Sequence, residues 1–158
     1  MPSIEHDEIQ NWFLKQSKYV EKEKSIETHR ADVVLANKFV IEIQCTPITI
    51  DEYENRNQKF IEAGFYPVWV LGKNFYEHTR RTRKRGQYIR LIEQIELKKH
   101  GVIFYHNKYN LFYGDFEYKW ASGIKDSCKT KGWYRLQGPL TFNAFWGLIK
   151  HRMAVSVL

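Results

Sequence analysis

Residues 65–71, Phe-Tyr-Pro-Val-Trp-Val-Leu, carry apolar side chains at consecutive positions. Successive side chains of a strand point to opposite faces, so a run apolar at both parities needs a packed layer on each side. That describes an interior strand of an α/β sheet. What precedes it has the length and punctuation of a crossover. Thr49 with Glu52 three residues later is a capping-box signature, and Gly64 is a natural helix stop. The periodicity between them predicts a helix from about Ile50 to Ala63, with Tyr53, Phe60 and Ile61 as its buried stripe. Before it, residues 31–35 (ADVVL) and 39–45 (FVIEIQC) read as strands joined around Asn37. A strand, a helix and a strand in series connect parallel neighbours.

The rest of the chain is read more coarsely. Ile9, Trp12, Phe13, Gln16 and Val20 recur at helical spacing, predicting an amphipathic helix from Ile4 to about Glu21. Residues 24–29 (KSIETH) are a weak strand signal. The first half is therefore α-β-β-β-α-β, a mixed sheet with helices on its faces. Ile89, Ile92 and Ile95 predict a helix from Gln87 to Lys99. A hairpin pairing residues 102–106 with 110–120 follows, then a strand in GWYRL and a closing helix with Phe142, Phe145 and Ile149 on one side.

A chain of 158 residues, 43% apolar and 16% aromatic, can bury a core without staples, and 1–158 is expected to be a single domain. Cys45 and Cys128 have neither metal-ligand spacing nor a disulfide framework. No basic region followed by an apolar stretch opens the chain, and no run approaches the roughly 20 apolar residues of a membrane span. A cytoplasmic protein without membrane contact is the expectation. Charge is unevenly placed. Residues 1–72 hold 8 basic against 12 acidic side chains, residues 73–90 hold 7 against 1, and residues 91–158 hold 10 against 5. Six of the basic residues fall between Arg80 and Arg90 with no acid among them. A basic half beside an acidic half suits a polyanion-binding surface next to a cation-binding pocket; a solvated arginine-rich loop is the plainer alternative.

The carboxylates Asp32 and Glu42 stand out because Asp and Glu are depleted in strands. With a three-residue loop at Ala36-Asn37-Lys38, the antiparallel register sets Asp32 opposite Glu42, and Arg30 opposite Gln44. Like charges so placed repel. A divalent cation between them reverses the sign, and Mg²⁺ is content with one or two carboxylates. A two-residue turn would instead pair Asp32 with Ile43, and each acid could equally cap a strand end or pair with an arginine.

Arg30-Ala31-Asp32-Val33, Ile41-Glu42-Ile43-Gln44, Glu52, Arg56 and Trp69-Val70-Leu71 together resemble the nuclease domain of the competence protein CoiA family, within the PD-(D/E)xK superfamily. His6 and Glu27 fit more loosely. The resemblance implies a restriction-endonuclease-like αβββαβ core over about residues 4–72, with a mixed central sheet flanked by helices, plus a C-terminal hairpin and helix. It also implies a metal-dependent deoxyribonuclease that hydrolyses phosphodiester bonds, in DNA processing or recombination. Asp32 and Glu42 would then bind Mg²⁺ or Mn²⁺, with the backbone carbonyl of Ile43 and the carboxylate of Glu27 as further ligands. The usual lysine of the Glu-x-Lys pattern is Gln44 here, an amide able only to orient water, so Arg30 or Arg56 would supply the missing charge. Lys73, Arg80, Arg81, Arg83, Lys84, Arg85 and Arg90 would hold flanking phosphates of single-stranded, duplex or branched DNA. A homodimer would double that surface, though no dimer seam is legible. Two alternatives stand beside the enzyme: a nucleic-acid-binding module that kept the fold and lost catalysis, and a module whose basic loop contacts an acidic protein.

Overall fold

The computed structural model describes residues 3–26, 28–46, 48–73, 76–78, 88–91, 102–107, 110–119 and 132–157. The elements run α1 (Ile4–Leu14), β1 (Val20–Ile26), β2 (His29–Leu35), β3 (Phe39–Gln44), α2 (Ile50–Glu62), β4 (Tyr66–Leu71), β5 (Tyr76–His78), β6 (Tyr88–Leu91), β7 (Val102–Asn107), β8 (Asn110–Lys119), β9 (Gly132–Leu140) and α3 (Phe142–Val157). The αβββαβ core expected from the sequence is present, followed by the hairpin β7–β8 and the closing helix. The strands form one mixed sheet in the order β1-β2-β3-β4-β7-β8-β9-β6-β5.

β4 is the interior strand that its composition demands. It lies parallel to β3 on one side and to β7 on the other, and Val68, Trp69, Val70 and Leu71 are fully buried. Pro67 is tolerated because pairing with β7 begins only at Val68, so no partner is left waiting for its missing N–H. One sheet face packs Val33, Ile41, Ile43, Val68 and Val70 against Ile9 and Phe13 of α1 and Phe145 and Ile149 of α3. The opposite face packs Ala31, Val34 and Val40 against Phe60 of α2. The buried Trp69 indole N–H donates to Asn57 Oδ1 of α2 at 2.7 Å, satisfying a donor that burial would otherwise strand.

Four expectations need correction. α1 stops at Leu14 rather than near Glu21, because Ser17 Oγ accepts the Tyr19 N–H in a tight turn and Val20 then pairs with Leu35. β1 accordingly starts at Val20, four residues earlier than the 24–29 signal. On α2 the buried stripe is Tyr53, Asn57 and Phe60, at i, i+4 and i+7, while Ile61 is 41% exposed. Tyr88–Leu91 is a strand and not the start of a helix, since β5 and β9 flank it and take up its backbone hydrogen bonds; residues 92–99 of that expected helix lie outside the described residues.

Candidate active site

Leu35 faces Phe39, Val34 faces Val40 and Val33 faces Ile41, which is the three-residue-loop register. Ala36 and Asn37 both take left-handed backbone angles, φ 53° and 51°, and the Lys38 N–H closes the turn on the Leu35 carbonyl at 3.1 Å. The ladder stops at Val33–Ile41, where the two acids take it over. Asp32 donates its backbone N–H to Glu42 Oε2 at 3.3 Å, and Asp32 Oδ2 accepts from the Ile43 N–H at 2.8 Å. Each acid thus ends the ladder on the other's strand. Because the ladder has ended, Arg30 does not pair with Gln44; it stands opposite Ser25 of β1, and its guanidinium reaches Glu23 Oε2 at 2.8 Å.

Helix α1 grips this point from one side. His6 Nε2 lies 3.2 Å from Asp32 Oδ1, and Gln10, one turn on, donates to the Asp32 carbonyl at 2.9 Å. Glu5 accepts the Lys73 N–H at 3.0 Å just past the end of β4, so the helix is tied to two strand ends. From the other side α2 brings Arg56, whose Nη2 pairs with Glu52 Oε1 at 2.6 Å while Nη1 stands 4.0 Å from Glu42 Oε1. His29 Nε2 is 3.7 Å from the same oxygen, with its ring edge-on to Phe60. The capping expected of Thr49 is what starts α2, as Thr49 Oγ1 accepts from the Glu52 N–H at 3.1 Å.

The electrostatics separate the two acids. Burial pushes the Asp32 carboxyl up, but hydrogen bonds with His6, Glu42 and the Ile43 N–H outweigh it and hold the group below its ordinary value. Burial and then the neighbouring Asp32 charge lift Glu42 well above the usual carboxylate range. The two groups titrate as a coupled pair, with Glu42 the one displaced toward higher pH. His6 is raised by its bond to Asp32 against the opposing effect of burial, while burial and then Arg56 lower His29. Burial lifts the Cys45 thiol to about 12, an inert value for a nucleophile.

A cavity of about 320 Å³ opens over Asp32, with His6, Glu23, Arg30, Gln44 and Arg56 also in its wall. Gln44 donates its amide to the Thr46 carbonyl at 2.8 Å, which leaves its side-chain oxygen toward other partners. Glu27 lies outside the described residues, as do Arg80, Arg81, Arg83, Lys84 and Arg85; Lys73 is exposed, and Arg90 belongs to β6. Sequence reasoning passed over Glu23 and Gln10, and gave His6 no role. Only the i,i+4 spacing of His6 and Gln10 hinted at a shared target.

The donors suit a hard divalent cation. Glu42 is 3% exposed, and its Oε1 has no hydrogen-bond partner among the described residues, its cationic neighbours Arg56 Nη1 and His29 Nε2 standing 4.0 Å and 3.7 Å away. Among the described residues no three His, Cys, Asp or Glu side chains already converge into a cage. Mg²⁺ needs only one or two carboxylates and keeps water for the remaining positions.

A family model described as competence protein CoiA, nuclease-like domain, matches residues 6–115. The chain belongs to this family. The CoiA match opens at His6 and ends within β8 at Asp115, so it takes in His6 and Gln10 of α1, both acids, Arg56 and the basic segment together. A nuclease-type hydrolase is the activity class the CoiA nuclease-like domain carries. No curated protein and no solved structure matches the chain. Among the described residues no helix is long and apolar enough to cross a membrane.

Proposed function

We propose that this CoiA-family chain is a Mg²⁺- or Mn²⁺-dependent deoxyribonuclease in which Asp32 and Glu42 hold the ion. The observation that carries the reading is the Glu42 carboxylate, buried beside Asp32 and with one oxygen lacking a hydrogen-bond partner among the described residues. A bound divalent ion supplies Lewis-acid neutralisation of a phosphate oxygen and a lowered pKa for its water. The chain's own residues do the rest. The Ile43 N–H fixes Asp32, the Ile43 carbonyl and Glu27 remain the proposed additional ligands, and His6 and Gln10 hold Asp32 from α1. Gln44 orients the attacking water through its side-chain oxygen. Arg56, within 4.0 Å of Glu42 and exposed to the cavity, offers the positive charge that the lysine of the usual pattern would bring. Arg30 sits across the cavity and is the second cation available to a phosphate. Lys73, the Arg80–Arg85 cluster and Arg90 hold flanking phosphates of the DNA, positioning without reading sequence.

The test is cleavage of single-stranded, duplex and branched DNA with Mg²⁺, Mn²⁺ or chelator. Metal-dependent cleavage lost in Asp32→Asn and Glu42→Gln, with DNA binding retained, is the expected result. One observation favours a second reading, a DNA-binding module without catalysis: the Gln44 amide is already engaged by Thr46 and carries no charge. Salt-sensitive DNA binding with no cleavage under any metal would establish that reading and overturn the enzyme.

A further inference from the structure

Across β1, the residue opposite Asp32 is Glu23. Lys22 pairs with Val33 and Lys24 with Ala31, an unbroken register that passes over the Glu23–Asp32 position itself. There the backbone of Glu23 turns left-handed, φ 53°, a conformation that disfavours every side chain but is natural to glycine. No residue is inserted, so the turn re-aims a side chain without shifting the strand. That side chain lines the same cavity as Asp32, carries a charge that His6 feels, and ends in the 2.8 Å pair with Arg30. The Arg30 guanidinium is 69% exposed, so the pair is open to competition from ions and phosphates.

We propose that Glu23 is a further carboxylate ligand of the cation site formed with Asp32 and Glu42, with Arg30 as the counter-ion that holds it when no cation is bound. The inference rests on the metal-nuclease reading of the site. A second observation points to a ligand here: Glu42 Oε1 is buried without a hydrogen-bond partner among the described residues, with Arg56 and His29 no nearer than 4.0 Å and 3.7 Å. Two carboxylates leave an octahedral ion dependent on water and substrate for most of its shell. A third, on the neighbouring strand and lining the same cavity as Asp32, would add a ligand once its side chain leaves Arg30; as the side chains stand, no three acids converge among the described residues. As Glu23 turns to the ion, Arg30 is freed at the cavity mouth, where a phosphate oxygen replaces the carboxylate as its partner. Glu23 therefore couples ion loading to the release of a phosphate-binding arginine.

The test uses the full chain and Mn²⁺ binding, followed by electron paramagnetic resonance of the free ion, with thermal unfolding alongside. Glu23→Gln is expected to weaken Mn²⁺ binding about tenfold or more. Glu23→Gly is expected to weaken it equally while melting at the same or a higher temperature, because glycine takes the left-handed angle freely. Asp32→Asn is the reference for the site itself. If both Glu23 variants bind Mn²⁺ within about twofold of the unmodified chain while Asp32→Asn does not bind, the Glu23 proposal is wrong and the metal site stands. If Asp32→Asn binds Mn²⁺ as the unmodified chain does, the metal reading fails and the Glu23 proposal with it.

Discussion

Asp32 and Glu42 show how position, not residue type, assigns a proton. Both are carboxylates on paired strands, yet donors lower the pKa of one while burial and the neighbouring charge raise that of the other. Because Glu42 holds its proton to higher pH than an ordinary carboxylate, a cation at the dyad competes with that proton, and apparent Mn²⁺ affinity is expected to rise by up to about tenfold per pH unit until Glu42 ionises by itself. Calorimetry across a pH series, in buffers of differing ionisation enthalpy, checks both the slope and the proton released. The same proton affects folding. Glu42 keeps it in the fold at pH values where the unfolded chain, ionising near 4.5, has lost it, so ion-free stability falls as pH rises from there toward the raised value. Glu42→Gln removes that dependence. His106 has the opposite sign. It is buried, and burial holds it at about 4 instead of 6.5. Between those values the unfolded chain binds the proton that the fold refuses. The stability difference between the unmodified chain and His106→Leu is therefore expected to shift against the histidine as pH falls from 6.5 to 4, by up to about 1.4 kcal/mol per unit. Urea titrations at pH 7, 6 and 5 measure it.

Helix α1 and the end of β4 act together. A Cβ built at Gly72 meets the carboxyl group of Glu5 and touches Cys45 Sγ. Gly72→Ala is therefore expected to push Glu5 off the Lys73 N–H and cost about 1 kcal/mol. Because the cost acts through Glu5, adding Gly72→Ala to Glu5→Ala is expected to cost little more, a coupling that a double-mutant cycle reads directly. Helix α2 depends on its cap. Thr49→Ala is expected to lose about 1 kcal/mol and to loosen Arg56, one turn from Glu52. The two helices differ in how legible they were. The α2 boundaries follow from Thr49, Glu52 and Gly64, all local chemistry. The end of α1 does not, because Val-Glu-Lys-Glu-Lys-Ser-Ile becomes a strand only by pairing with β2, and its charged residues suit an exposed edge. Asn57 escaped the buried stripe for the same reason: its partner is Trp69, twelve residues away in sequence.

At the scale of the whole molecule, charge asymmetry is the property most open to test. Residues 73–90 carry 7 basic side chains and 1 acidic one, beside a half with net negative charge that holds the acids. Replacing Arg80, Arg81, Arg83, Lys84 and Arg85 with Gln is expected to weaken DNA binding uniformly across sequences. The dependence of log K on log salt should flatten by about 0.9 for each duplex phosphate that is no longer neutralised. Fluorescence anisotropy over a salt series measures it, and an unchanged slope would mean that other side chains hold the phosphates. By itself the sequence determined what local pattern determines: the doubly buried strand 66–71, the capped helix before it, and the Asp32 and Glu42 pair that resembles CoiA nucleases; the structure chose the three-residue-loop register over the two-residue turn. Tertiary structure decided what lies across the strands from that pair. Glu23, His6 and Gln10 are nine or more residues from Asp32 along the chain, and no periodicity relates them to it. They meet it because β1 pairs with β2 and α1 packs over the sheet, placements set by burial of Ile9, Phe13 and the strand interiors. Hydrophobic packing brings those groups together, and chemistry becomes legible only after it has done so.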